Sequence, residues 1–233
     1  MLKALFNNIT SGDKNQIIND LIENSSPRRD FFMMTGLSAL MATFGIILNN
    51  TPILIGAMLV APLLYSILSL GLGVVILDKK LILRSLITIG KSFALCIALS
   101  VGVGLIFKEK AQNIGNFFLF EKGISTGYFI VAIISGLAGA LATIKPNMNE
   151  AMPGIAISVA LVPPISALGI ALSILDPAII QQSFDIFIIN VIGILIASIF
   201  IFATSSFATY RKTIKKAVKK DDKIVAKEAV DAE

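Results

Sequence analysis

The sequence predicts an all-α protein, a polytopic membrane helix bundle of six transmembrane helices in two three-helix repeats with proline-broken second helices. Three observations carry this. The chain is 55% hydrophobic and 15% charged, and the charges lie almost wholly outside the apolar runs. Several of those runs reach the length of about 20 residues that a helix needs to cross a hydrocarbon core of ~30 Å. Two of the runs carry proline at the same depth, Pro62 in one and Pro163-Pro164 in the other.

Taken in order, residues 1–30 form a cytoplasmic leader. Within it, 13–24 (DKNQIINDLIEN) places Ile17, Ile18, Leu21 and Ile22 on one face, and Ser25-Ser26-Pro27 closes the helix before Arg28-Arg29. That pattern reads as an interfacial amphipathic helix. The transmembrane domain, 31–207, contains the runs 31–49, 53–77, 81–107, 127–144, 154–175 and 184–207. The first lies too far from the N-terminus, behind too polar a leader, for a cleaved signal peptide. Residues 208–233 form a basic cytoplasmic tail whose pairs Arg211-Lys212, Lys215-Lys216 and Lys219-Lys220 recur every four positions. This makes a basic helical stripe continuing the last crossing. Its expected partner is anionic lipid at the cytoplasmic face, at ~1 kcal/mol per basic residue near the surface, rather than nucleic acid.

Basic residues at both ends place both termini in the cytoplasm and require an even number of crossings. Six crossings also put Lys79, Lys80 and Lys145 inside, while the connections 50–52 and 176–183 face outward without a Lys or Arg. The loop 108–126 runs against the trend, with Lys108, Lys110 and Lys122 offset by Glu109 and Glu121. A competing arrangement makes 53–77 and 154–175 re-entrant hairpins with four crossings, and it puts Asp78-Lys79-Lys80 outside. The expected location is the bacterial cytoplasmic (inner) membrane.

Proline removes an N–H and clashes with the carbonyl four residues back. The carbonyls freed here, on Met58, Val159 and Ala160, have no water to turn to and need buried partners or a wet cavity. Paired interruptions in two halves point to a transport site between repeats. The halves resemble each other further. SALMAT at 38–43 matches AGALAT at 138–143, and Val60-Ala61-Pro62-Leu63 matches Val162-Pro163-Pro164-Ile165. The polar connection Asn49-Asn50 has a counterpart in Asn149-Glu150. The candidate transport site is Pro62, Tyr65, Ser66, Ser158, Pro163, Pro164, Ser166 and Asn190, with Ser69 a similar hydroxyl. Each polar group also has a structural reading, as interhelical glue worth about 0.6–2 kcal/mol.

Run 81–107 holds Arg84 and Lys91 on nearly one face. The run exceeds what a bilayer needs, so both side chains can snorkel to the cytoplasmic interface; Lys91 is the candidate intramembrane charge. Glu150, Asp176 and Asp185 sit at the ends of runs or in connections and no acid lies deep inside one, so a classical proton-driven carrier loses support. Ser135, Gly136, Gly139, Ala140 and Thr143 form a small-residue stripe, and Ser100 and Gly104 another, either for contacts within the chain or for a homo-oligomer.

The exclusions are as informative. The chain has no histidine, which removes His acid–base chemistry and His–metal sites. Its one cysteine, Cys96, forms no internal disulfide framework. The Gly71/Gly73 and Gly102/Gly104 pairs lack the strand–turn–helix context of a phosphate loop. Neither a buried aspartate pair nor a convincing Ser–Lys pair (Lys91-Ser92 is the nearest) suggests an intramembrane enzyme. No enzyme activity, cofactor or metal is expected.

The stretches SALMATFGIILNNTPILIGAMLVAPLL, SGLAGALAT, PGIAISVALVPPISALGI and NVIGI resemble a widespread family of uncharacterised hydrophobic proteins, the domain of unknown function three-eight-nine. The resemblance covers about residues 31–200 and implies a multi-pass membrane protein without implying a substrate. The chain departs from the family's Ala-Pro-Leu-Met-Gly-Pro pattern at Leu64, Tyr65 and Ser66. The reading that fits best is a channel or secondary transporter for an ion or small solute. The alternative is a non-transporting membrane scaffold or lipid-organising protein.

Overall fold

The computed structural model describes residues 11–112, 125–145, 148, 152–205 and 207–230. Every regular element among them is helical. In chain order they are α1 (Ser11–Asn24), α2 (Arg29–Ile47), α3 (Thr51–Val60), α4 (Leu63–Val75), α5 (Lys79–Ile106), the single turn α6 (Lys108–Ala111), α7 (Ser125–Ile144), α8 (Met152–Val159), α9 (Val162–Ile174), α10 (Pro177–Thr204), a 3-10 turn (Phe207–Tyr210) and α11 (Arg211–Val230). Five stretches are long and apolar enough to cross a membrane: α2, α5, α7, the run Met152–Ile174 and α10. The pair α3 and α4, bent by 45°, makes a sixth if it is counted as one span. The chain is an integral membrane protein built as a helix bundle.

The helix boundaries follow from local chemistry. Asp78 and Asp176 are N-caps of the two longest helices: Asp78 Oδ1 accepts from the Lys80 and Leu81 N–H groups (both 3.0 Å), and Asp176 Oδ1 from those of Ala178 and Ile179 (3.0 and 3.2 Å). Before each stands a leucine in the left-handed region, Leu77 at φ 53° and Leu175 at φ 57°. The Leu77 N–H reaches the Val74 carbonyl and the Asp78 N–H the Gly73 carbonyl (3.1 and 3.0 Å), a Schellman closure that reverses the chain in two residues. The Asp176 N–H does the same to Ala171 (3.1 Å). Both turns read Ile-Leu-Asp, at 76–78 and 174–176, a repeat the sequence reading passed over.

These caps correct one expectation. Residues 177–183 are not an outward connection but the first turns of α10, because Asp176 caps it and Pro177 occupies the first helical position, where a missing N–H costs nothing. Asp185 therefore lies more than two turns inside a helix long enough to span, on its exposed side, and not at the end of the run as expected.

Helix α10 packs closely along α7. A β-carbon on Gly193 would come within 2.6 Å of Ala132 Cβ, and one on Gly136 within 2.7 Å of Ile194 Cα. The small-residue stripe of α7 thus serves a contact within the chain. Two further crossings exchange partners between the parts of the molecule before and after α6. On α4, Gly71 faces Ser198 of α10, where an added β-carbon would lie 2.9 Å from Ser198 Cβ. On α9, Gly169 faces Ser100 of α5, at 2.5 Å from Ser100 Cβ and 3.0 Å from the Ile97 carbonyl oxygen. Residues 71 and 169, 100 and 198, and 78 and 176 are separated by the same interval.

One end of the bundle, here the basic end, gathers the start of α2, the α4–α5 turn, α1 and α11. The apolar face of α1 was expected to lie in the membrane interface. It packs instead against the bundle, with Ile17, Ile18, Leu21 and Ile22 only 0–5% exposed. Lys14 sits over the Phe207 and Tyr210 rings, 5.9 and 5.2 Å from their centroids. Nor does the tail continue the last crossing, since Ser205 caps α10 and the 3-10 turn intervenes before α11.

Arg84 does not snorkel to solvent. Its side chain is 9% exposed and paired with Asp221 and, at 3.3 Å, with Asp222 of α11. Asp221 also accepts from Ser26 Oγ (2.6 Å) and from Arg28, which reaches Glu23 at 3.1 Å, while Lys80 pairs with Asp222. Burial, the largest single influence, acts to lower the Arg28 guanidinium pKa, but the hydrogen bonds and charges of Asp221 and Glu23 together hold it above the ordinary value.

Candidate functional site

The two interruptions face each other, but they are not built alike. In the first, Ala61 is extended (φ −75°, ψ 125°) and Pro62 occupies the N-cap of α4. In the second, the backbone turns at Ala160, which adopts φ 43°. Pro163 and Pro164 fall within the first turn of α9, whose N–H groups have no intrahelical partner in any helix. They fix where α9 starts rather than breaking a helix from inside.

Two carbonyls at these breaks accept from polar side chains. Asn190 Nδ2 donates to the Ala160 carbonyl at 3.3 Å. Ser38 Oγ donates to that of Ala57 at 2.7 Å, one residue before the predicted Met58. Behind them runs a chain of hydroxyls: Thr43 Oγ1 lies 2.6 Å from the Ala39 carbonyl and 2.8 Å from Ser100 Oγ. Ser166 Oγ makes a longer approach to the same Ala39 carbonyl, 3.4 Å. Ser66 and Ser69 are fully buried, and their hydroxyls have no hydrogen-bond partner among the described residues. Ser158 is exposed and lies 2.9 Å from Ser135 Oγ on α7, away from the others.

The predicted residues therefore surround the breaks without lining one polar cavity. The void between Met58, Ala61 and Leu64 on one side and Ala156, Val159 and Leu161 on the other is apolar and about 10 Å³. A second void of similar size lies among Leu63, Ile67, Phe93 and Phe187. Each is at the lower limit for one water molecule. Lys91 is exposed on the outer surface of α5 and does not approach the breaks. Asn49 and Asn50 close α2 and open α3, with Asn50 Oδ1 accepting from Ile53 N–H at 3.1 Å; Asn149 and Glu150 lie outside the described residues.

Tyr65 turns toward the basic end, where it lines a cavity of about 160 Å³ with Asp20, Leu21 and Asn24 of α1, Thr143 of α7 and Met152 of α8. This space has room for several waters and lies between α1 and the broken spans. Burial first, and then Glu23, raise the Asp20 carboxyl above its usual range. Sequence reasoning took α1 for a lipid-facing helix and so missed its role as a cavity wall. The available signal was Asp20 and Asn24, one turn apart beside the apolar face. A larger groove of about 490 Å³ opens between α11 and the α4–α5 turn. Of the basic tail residues, Arg211, Lys215 and Lys219 line it, whereas Lys212, Lys216 and Lys220 are exposed outside its lining.

The comparisons with known proteins agree with the resemblance. The family described as a domain of unknown function (DUF389) matches residues 58–196, and the chain belongs to it. An uncharacterised protein of Methanocaldococcus jannaschii is 29% identical over 197 residues, which covers 82% of this chain and 59% of that relative. The chain thus spans less than two thirds of that relative's length. No solved structure matches it.

Proposed function

We propose that this member of the family is a channel or secondary transporter of six crossings, built as an inverted repeat and held here in a closed state. The exchanged crossings carry the proposal. Gly71 meets Ser198 while its counterpart Gly169 meets Ser100, the counterpart of Ser198. Reciprocal contact between equivalent residues is the signature of a two-fold relation. Three crossings per repeat give the halves opposite orientations, the plan in which broken helices meet at a midplane site. The two Ile-Leu-Asp turns, one at each end of the bundle, support the same reading.

On this reading the basic end is cytoplasmic, with both termini there, in agreement with Lys79, Lys80, Lys145 and the α11 lysines. The path runs from the Tyr65 cavity past Asn190 and the break carbonyls, and α1 together with the apolar void closes it. No enzymatic step is assigned. Asp185 faces outward, which argues against proton coupling through a buried carboxylate.

The experiment is reconstitution of the purified protein in liposomes, screened for ion currents and solute flux. Flux that falls on Pro62→Ala or Asn190→Leu at unchanged expression supports transport. Absence of flux across a broad panel, with folded protein, overturns it. That outcome would leave a non-transporting scaffold, a second reading favoured by the smallness of the void between the breaks.

A further inference from the structure

The groove at the basic end is independent of the transport reading. Five cationic side chains line it, Lys79 and Lys80 from the start of α5 and Arg211, Lys215 and Lys219 from one face of α11. The one acid in its wall, Asp78, is committed elsewhere: its Oδ1 caps the α5 N–H groups and its Oδ2 lies 3.8 Å from Lys215. Asp222 draws Lys80 toward the ion-pair cluster. Lys79 and Lys219 have no carboxylate in that network, and Arg211 donates to the Leu77 carbonyl at 3.2 Å. Like charges gathered around a volume of about 490 Å³ repel unless an anion fills it.

We propose that this groove binds a phosphate group, presented there by the headgroup of an anionic phospholipid. Two features favour a lipid as the source. The lining is amphiphilic: Leu77, 72% exposed, and Val218 stand among the cations. The groove also lies where the apolar helix α4 ends, the level at which a spanning protein meets headgroups. The site differs from diffuse attraction of a basic tail to a charged surface, because only alternate members of each basic pair take part. Guanidinium and ammonium donors from two separate elements converge, so occupancy would bind α11 to the α4–α5 turn.

The test uses the purified full-length chain in detergent, titrated with short-chain phosphatidylglycerol, with phosphatidylcholine and with inorganic phosphate. Two triple variants remove the same charge, Arg211→Gln/Lys215→Gln/Lys219→Gln in the groove and Lys212→Gln/Lys216→Gln/Lys220→Gln beside it. The expected result is saturable binding of phosphatidylglycerol over phosphatidylcholine, weakened at least about tenfold by the groove triple and less than about threefold by the other. Lys79→Gln/Lys219→Gln leaves the Arg211–Leu77 bond and the Lys215–Asp78 pair intact. It gives the same answer if the groove triple misfolds. Inorganic phosphate that competes at equal affinity would keep the phosphate site and reassign its source to a soluble ion. Equal losses in both triples, or no saturable binding, would overturn the proposal.

Discussion

At the level of the breaks, the bundle is joined by small residues, backbone carbonyls and uncharged side chains, with voids of about 10 Å³. At the basic end it is joined by guanidinium–carboxylate pairs around cavities of about 160 and 490 Å³. Contact at the breaks depends on close fit and on uncharged hydrogen bonds such as that from Asn190 to the Ala160 carbonyl. Contact at the basic end depends on charge and leaves room for water. The two regions should therefore fail differently: the first through fit and uncharged hydrogen bonds, without regard to salt, and the second through charge, with a response to pH and ionic strength.

The largest effect is expected from Asp221→Asn, which removes the carboxylate shared by Arg84, 9% exposed, and Arg28 and leaves them Asp222 and Glu23. Removing one partner of a buried pair typically costs about 3–5 kcal/mol. Limited proteolysis of α11 should become faster, and the transition for tail release should separate from that of the bundle. Unchanged protection would show that the ion pairs do not hold the tail.

Gly169→Ala comes next, at about 1–3 kcal/mol of overpacking, because its methyl group would meet the Ile97 carbonyl and the Val101 amide as well as Ser100. Gly71→Ala should cost less, since once the Ser198 hydroxyl rotates the nearest atom is Ser198 Cβ at 2.9 Å rather than the 2.5 Å at Gly169, and Gly102→Ala, which faces open space, should cost nothing. Thermal unfolding in detergent at two salt concentrations measures all three. A salt-dependent loss in Gly169→Ala, or equal losses in all three, would break the distinction between the regions.

Asn190→Leu sharpens the contrast between the two breaks. It removes the donor to the Ala160 carbonyl and should cost about 0.6–2 kcal/mol, whereas Ser38→Ala removes the donor to Ala57 at the other break. Amide exchange should rise locally around α8 in the first variant and around α3 in the second.

The smallest effect belongs to Asp20. Its carboxyl pKa is raised in the docked α1, so docking strengthens as pH falls through that raised value and weakens as the group ionises above it. Asp20→Asn should flatten this acid-range response while leaving unfolding of the bundle unchanged. A persistent pH response in the variant would assign the effect to another group.

How far these regions were legible in the sequence follows from the same contrast. The apolar runs, the two breaks and the charged end are written in composition and spacing, and the structure has five of the runs as helices long enough to span and the sixth as a pair bent by 45°. Arg84 was misread because its acids, Asp221 and Asp222, lie far along the chain, and local pattern carries no information about such a pairing. The face of α1 was visible, but not what would cover it, since lipid and protein present the same apolar surface to Ile18 and Leu21. The start of α10 was missed because polar Gln181, Gln182 and Ser183 resemble a connection, although Asp176-Pro177 is a strong helix opening. At the breaks, the sequence named the carbonyls of Met58, Val159 and Ala160, whereas side chains donate to those of Ala160 and Ala57, because spacing does not say which serine or asparagine a neighbouring helix brings near.

The exchanged crossings also bear on the order of synthesis. Gly71 and Ser100 emerge from the ribosome well before Gly169 and Ser198, the residues they pack against. The helices before α6 must therefore wait with those packing surfaces unfilled until the last helices arrive. Cut between α6 and α7, the chain would give two fragments that are each unfinished and complete only as a pair.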